Sequence, residues 1–301
     1  MDSLGPFEGN ESKWLLFSVA NPYERHGPAL PLMTDDFHAK RAAYELELRT
    51  GQKYVAHVPY TTDRCGPVAK EWAPYYMPWE EFYDKTVNFL KYNINLLRNR
   101  GEEISYVMLL VSHGGNADIM ERKYQREIQK ELELKKFFSI TAHVSRKNAV
   151  RVLEEVKKFS IKIIEKEGHR YGCSTPEELS DLYTKILLST GHASHTEHSL
   201  IAAMGLCDMK KVAIMNSLLE KNFELALKKW PALGGLGGYL LAGGKYTEAL
   251  GSEDNDKYGL WNCLNGLRTI NNGKLIIAPE LGALIHRISL ETKSEIINKF
   301  L

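Results

Sequence analysis

The chain has 301 residues, of which 44% are hydrophobic and 26% charged, and its formal net charge is +1 at pH 7. This length and apolar content suit one large α/β domain, and the charge balance argues against a general nucleic-acid or polyanion binder. No apolar run reaches the roughly eighteen residues needed to span a bilayer. The N-terminus lacks the pattern of a signal peptide and the four cysteines are widely spaced, so we expect a cytoplasmic protein with reduced thiols.

Apolar runs alternate with helical stripes, which predicts a mostly parallel sheet covered by helices on both faces. The predicted strands are Trp14–Ala20, Tyr54–Tyr60, Ser105–Val111, Phe137–Ala142 and Leu275–Ala278. Helices are predicted over Asp36–Thr50, from Tyr83 to Leu97, over Ala117–Lys135, from Val152 to a closing Gly168 and over Pro176–Leu188. Further helical residues are predicted after Ser199 up to Trp230, and a last helix is predicted at the C-terminus. A long ordered loop is predicted from Thr61 to Trp79. We expect a single domain, residues 1–301, with a Gly-rich insertion or loop near 231–258.

The loop after the first strand carries Glu24, His26 and Asp35 among several prolines. Prolines restrict the backbone, so such a loop has few conformations and can hold side chains in place. Two carboxylates and an imidazole form the kind of N/O set that zinc or manganese accepts. A turn with solvated charges explains the same residues equally well, and Glu-x-His by itself is common.

The segment Ser112-His-Gly-Gly-Asn116 follows the clearest predicted strand. In open parallel sheets, ligands bind beyond the carboxyl ends of the strands, so His113 is well placed for a site. The glycine pair permits close backbone approach and unusual φ angles. The alternative is a tight strand-to-helix turn with a capped histidine, and we favour the functional interpretation.

A third cluster, His192-Ala-Ser-His-Thr-Glu-His198, holds three imidazoles and the Glu197 carboxylate. If a helix begins near Ser194, His195 and His198 share a face and Glu197 points elsewhere, so one ion cannot bind all four side chains. A solvated His-rich helix start is the alternative. The glycine-rich segments fit neither a P-loop nor a dinucleotide fingerprint, so no nucleotide cofactor is predicted.

Taken in order, the three clusters resemble the creatininase (creatinine amidohydrolase) family. That family carries Glu-Gln-His-Gly-Pro-His-Leu-Pro-Leu-x-x-Asp, then Asn-Gly-His-Gly-Gly-Asn, then His-Ala-Gly-Glu-x-Glu-Thr-Ser. Order, spacing and strand context match over roughly residues 13 to 205. The presence of Gly115, where creatinine-hydrolysing members carry a Glu ligand, resembles the Gly-Gly branch that includes archaeal formamidopyrimidine-nucleotide deformylases.

The resemblance implies a three-layer α/β fold, a trimeric or hexameric homo-oligomer and two divalent ions (Zn, Mn or Fe). It implies metal ligands as follows: Asp35 bridging both ions, Glu24 and His113 on one, His26 and Glu197 on the other. Glu197 is also the expected replacement for the missing ligand at Gly115. His192 is implied beside the scissile bond, as proton shuttle or substrate contact, so that His192 and Glu197 are the expected catalytic residues.

The reaction implied is hydrolysis of a C–N bond in a small cyclic amide or formamide by a metal-activated hydroxide. Deformylation of a formamidopyrimidine nucleotide ranks first and creatinine hydrolysis second, and cleavage of a carbon–carbon or peptide bond is a further alternative. A catalytically inactive small-molecule-binding protein on the same fold is the alternative of another class. The expected partner is a small-molecule amide, with neither nucleic acid nor membrane.

Overall fold

The computed structural model describes residues 14–63, 73–144, 148–189, 191–234 and 273–301. Its centre is a parallel sheet of four strands in the order β2-β1-β3-β4. The strands are β1 (Trp14–Val19), β2 (Lys53–Val58), β3 (Tyr106–Val111) and β4 (Lys136–Thr141). The parallel α/β prediction is therefore confirmed.

Helices cover both faces of the sheet. The first group comprises α1 (Thr34–Thr50), α2 (Trp79–Arg98), α3 (Arg122–Glu131) and α4 (Ala149–Tyr171). The second comprises α5 (Pro176–Leu188), α6 (His195–Ala203), α7 (Met209–Lys221), α8 (Phe223–Lys229) and α9 (Pro279–Asn298). Short 3₁₀ turns occupy Gly114–Met120 and Pro231–Gly234. No helix among the described residues is long and apolar enough to cross a membrane.

The period-2 geometry of β1 explains the three layers. Leu15 and Phe17 pack on one face against a core that includes residues of α2 and α3. Trp14 and Leu16 pack on the other face against a core that includes residues of α1 and α9. Because every residue of β1 is buried, its sequence is continuously apolar except for Ser18. The predicted three-layer sandwich is thereby confirmed.

Three predicted helices have different bounds in the structure. The segment Ala117–Lys135 is divided at Glu121, whose extended backbone (ψ 141°) separates the 3₁₀ turn from α3. The helix expected to close at Gly168 continues to Tyr171 and ends at Gly172, which takes the left-handed conformation (φ 70°). The helical stretch before Trp230 is three separate helices, α6 to α8.

The predicted strand Leu275–Ala278 is wrong, because side chains rather than a neighbouring strand satisfy its backbone. The Asn216 amide accepts from Leu275 N (2.7 Å) and donates to Leu275 O (2.9 Å). Ile276 N donates to His195 Nδ1 (2.8 Å), and Ala278 N donates to Ser199 Oγ (3.0 Å). The segment is thus tied to α6 and α7 outside the sheet.

Two loop predictions lie partly outside the described residues. In the Thr61–Trp79 stretch, residues 64–72 lie outside the described part, and Thr62 pairs with Met77 in an isolated parallel bridge. In the Gly-rich stretch near 231–258, the structure describes residues up to 234.

Candidate metal centre

The predicted site residues converge at the carboxyl ends of two adjacent strands, β1 and β3. Glu24 and His26 lie in the loop after β1, Asp35 is in the first turn of α1, and His113 follows β3. The sheet order changes direction at this strand pair, which is where ligands bind in open α/β sheets.

His26 presents one ring nitrogen to a group of carboxylates. Its Nδ1 lies 2.9 Å from the Glu24 carbonyl oxygen, and in the tautomer that donates this bond Nε2 is a potential ligand. Nε2 lies 3.4 Å from Asp35 Oδ1, 3.6 Å from Glu197 Oε1 and 3.7 Å from Glu24 Oε2. This buried Nε2 makes no hydrogen bond. Ligand atoms about 2.1 Å from a tetrahedral ion are about 3.4 Å apart, so these separations suit a shared cation.

His113 faces the same carboxylates from the opposite side. Its Nδ1 lies 2.8 Å from Glu24 Oε2 and 3.0 Å from Asp35 Oδ2. The two oxygens of Asp35 therefore face different imidazoles, Oδ1 toward His26 and Oδ2 toward His113. Such a carboxylate can bridge two cations.

The start of α6 brings the third cluster to the same place. Ala193 has a positive φ of 50°, a conformation uncommon outside glycine, and its N–H donates to Glu197 Oε2 (2.6 Å). Glu197 N in turn donates to Ser194 Oγ, which caps the helix (3.2 Å). This turn fixes Glu197 so that its Oε1 faces His26.

His192 lies at the edge of the carboxylate group. Its Nδ1 is 3.3 Å from Glu24 Oε1, and its Nε2 is 2.6 Å from the Arg25 carbonyl oxygen. The side chains of His192 and Glu197 are 15% and 13% exposed, whereas that of His26 is fully buried. The centre is therefore open to solvent on the His192 and Glu197 side.

The remaining histidines of the third cluster contact backbone groups. His195 accepts from the backbone of Ile276, as described above, and supports the C-terminal segment. His198 Nδ1 lies 3.0 Å from Ser194 O, and burial lowers the pKa of His198 to about 4. The expectation that His195 and His198 share a face away from Glu197 agrees with these contacts.

Asp63 also reaches the centre, although it belongs to none of the three sequence motifs. This residue follows β2 and is buried, and its Oδ2 lies 3.3 Å from His113 Nε2. Glu24, Asp63 and His113 offer ligand atoms within 4.8 Å of one another, as do Glu24, His26 and His192, and also His26, Asp35 and Glu197. The only available signal was the place of Asp63 just beyond the carboxyl end of a predicted strand.

Charges in the centre are strongly coupled. Burial lowers the pKa of His26, but the carboxylates of Glu197 and Asp35 outweigh burial and raise this pKa well above its ordinary value. The pKa of His113 is likewise raised, since Glu24, Asp35 and Asp63 outweigh the effect of burial. Burial raises the pKa of Asp35 and of Glu197, but the imidazoles outweigh it and hold both values below the ordinary range.

This donor set fits divalent cations. Glu24, Asp35, Asp63 and Glu197 carry four negative charges when ionised, and buried charges are costly unless they are compensated. Two divalent cations supply four positive charges, and carboxylate oxygens with imidazole nitrogens are ligands for Zn, Mn and Fe. The buried Nε2 of His26 makes no hydrogen bond and faces three carboxylates, and this is the observation that best fits a bound cation.

Fold and centre together define an α/β sandwich with a buried carboxylate–histidine cluster at the carboxyl ends of its middle strands. No protein-family model matches the chain. Over 118 residues it is 30% identical to the 2-amino-5-formylamino-6-ribosylaminopyrimidin-4(3H)-one 5'-monophosphate deformylase of Methanobrevibacter ruminantium. That match covers 39% of this chain and about half (47%) of the relative's length.

Two solved structures are also similar. One is a creatininase mutant complexed with creatine (TM-score 0.46, 13% identity, 96% of this chain and 92% of that one). The other is a protein from Bacteroides fragilis described as a creatinine amidohydrolase (TM-score 0.43, 14% identity, 95% and 89%). The chain is thus similar to creatininases and to a formylaminopyrimidine deformylase, as its three motifs predict.

Proposed function

We propose that this chain is a metal-dependent amidohydrolase with a dinuclear centre, acting on a C–N bond other than a peptide bond. The arrangement of Asp35 carries the proposal, since its two oxygens face His26 and His113 separately. In this proposal Asp35 would be shared by the two ions, Glu24 and His113 would hold one of them, and His26 and Glu197 would hold the other. When bound, two such ions lower the pKa of water and polarise an amide carbonyl.

The protein groups on the solvent side direct the reaction. His192 is close to Glu24 and partly exposed, so it is placed to transfer a proton to the departing nitrogen. The Ala193 N–H holds Glu197 in its position toward His26. The buried side of the centre, formed by His113 and Asp35, excludes bulk water.

The substrate class that we propose is the formamide of a pyrimidine nucleotide. Hydrolysis adds water to the formyl carbon, breaks the C–N bond, and releases formate and an amine that gains the proton. Two observations support this choice: the curated relative is a formylaminopyrimidine nucleotide deformylase, and Gly115 stands where creatinine-hydrolysing proteins of this type carry Glu. We also propose a trimeric or hexameric assembly, which light scattering would measure.

The test combines metal analysis with product detection. We expect the purified protein, loaded with Zn, Mn or Fe, to release formate from a formylaminopyrimidine ribonucleotide and to leave creatinine unchanged. Asp35→Asn should abolish formate release and remove bound metal. Asp36→Asn is the matched control, because Asp36 is the adjacent buried carboxylate and pairs with His57 (3.0 Å) and Lys40 (2.9 Å) outside the centre.

Equal activity of Asp35→Asn and the wild-type protein would refute the assigned centre. Conversion of creatinine without formate release would instead replace the substrate class and leave the centre intact.

A further inference from the structure

The space beside Gly115 is filled by other residues. A Cβ atom at position 115 would lie 2.8 Å from both Cα and Cγ of Asp63 and would also strike His113 Nε2. Gly114 has no such neighbour, and neither glycine has a positive φ. Close approach, rather than unusual backbone geometry, is therefore what requires glycine at 115, in contrast to the expectation of unusual φ angles from the sequence.

Asn116 explains how Asp63 reaches this space. The side-chain oxygen of Asn116, which is fully buried, accepts from Thr62 N (2.9 Å) and from Thr61 Oγ1 (3.1 Å). Thr62 Oγ1 donates to Met77 O (2.7 Å) on the other side of the loop. The backbone just before Asp63 is thus tied to the same turn that carries His113.

The two nitrogens of the His113 ring face different carboxylates. Nδ1 faces Glu24 and Asp35 in the centre, whereas Nε2 faces Asp63, with 3.3 Å between Nε2 and Oδ2. This contact lies within ion-pair distance and does not meet hydrogen-bond geometry. A carboxylate beside Nε2 favours the tautomer that carries the proton there, which leaves the Nδ1 lone pair available to a metal. Outer partners of this kind commonly change metal affinity by about 10- to 100-fold.

We propose that Asp63 is a positioning residue that orients His113 toward the ion on its side of the centre. In this role it acts through His113, and Gly115 is the residue that leaves room for it. The inference rests on the proposed dinuclear centre. It adds a residue that none of the three sequence motifs contains.

The test measures metal binding directly. Chelator competition with Zn²⁺ or Co²⁺ should show that Asp63→Ala binds the ion on the His113 side at least tenfold more weakly than the wild-type protein does. Asp63→Asn keeps an acceptor oxygen without the charge, so its loss should be smaller. Asp36→Asn, which alters a carboxylate–histidine pair outside the centre, should bind both ions as the wild type does.

Two further readouts separate positioning from a purely structural role. The visible spectrum of the Co²⁺ protein should change in Asp63→Ala and not in Asp36→Asn. Gly115→Ala should also weaken the ion on the His113 side, because its Cβ would strike both His113 Nε2 and Asp63. Circular dichroism and thermal unfolding in EDTA check that each variant folds.

Wild-type affinity for both ions in Asp63→Ala would overturn the role of Asp63 while leaving the dinuclear centre in place. Wild-type affinity for both ions in Gly115→Ala would overturn the requirement for glycine beside Asp63. A wild-type protein that binds no divalent ion would overturn the centre itself, and with it this inference.

Discussion

Metal binding should displace protons from the centre. In the metal-free protein the carboxylates hold the pKa values of His26 and His113 above their ordinary value, so both rings hold a proton more strongly than ordinary histidines do. Asp35 and Glu197, whose pKa values are lowered, carry no proton to lose there. Because metal ligands must be deprotonated, loading both ions at pH 7.5 is expected to release more protons than two ordinary histidines would.

Ordinary histidines would behave differently. With a pKa of about 6.5, two rings would be about one-tenth protonated at pH 7.5 and would release only about 0.2 protons in total. The assay is titration calorimetry with Zn²⁺ in buffers of different ionisation enthalpy, where the dependence of heat on buffer gives the proton count. Each displaced proton also makes the metal affinity rise about tenfold per pH unit. A release below about half a proton would refute the assignment of His26 and His113 as charged partners of the carboxylates.

Three other predictions test separate parts of the molecule. Burial lowers the pKa of Lys293 to about 7, so between pH 7 and 9 the unfolded chain binds more protons than the folded one. The wild-type free energy of unfolding, measured in urea, should therefore rise over this pH range by up to about 2.7 kcal/mol relative to that of Lys293→Met. A fall would contradict the burial argument. A Cβ at Gly282 in α9 would overlap Ser199 in α6. Gly282→Ala should therefore lower the free energy of unfolding by about 1–3 kcal/mol and weaken metal binding through Glu197. Unchanged stability would show that the two helices can separate freely. His192→Ala should reduce kcat by about 10²- to 10⁴-fold with both ions retained, and loss of an ion instead would mean that His192 is a ligand and not a proton donor.

The sequence predicted most of the sheet because its strands are buried on both faces and read as continuous apolar runs. Trp14–Val19 and Tyr106–Val111 agree with prediction to within one residue. Leu275–Ala278 has the same apolar character, yet its hydrogen-bond partners are side chains of α6 and α7. Local composition could not distinguish these partners from a strand, because they come from residues about 60 to 80 positions earlier.

The structure brings Glu24, His26, Asp35, His113 and Glu197 close together for a related reason. The loops after β1 and β3 meet because these strands are neighbours in the sheet, and Glu197 is brought in by the capped start of α6. Asp63 belongs to no motif, and its approach to His113 depends on Asn116 tying down the loop after β2. That contact is tertiary and has no spacing that a sequence could reveal.

The central claim is that this cluster holds two divalent ions. The most direct measurement is the number of ions per chain, by inductively coupled plasma mass spectrometry on protein loaded with Zn²⁺ and freed of excess metal. We expect two ions per chain in the wild-type protein and in Asp36→Asn, and fewer than one in Asp35→Asn. Two ions retained in Asp35→Asn, or none bound by the wild-type protein, would contradict it.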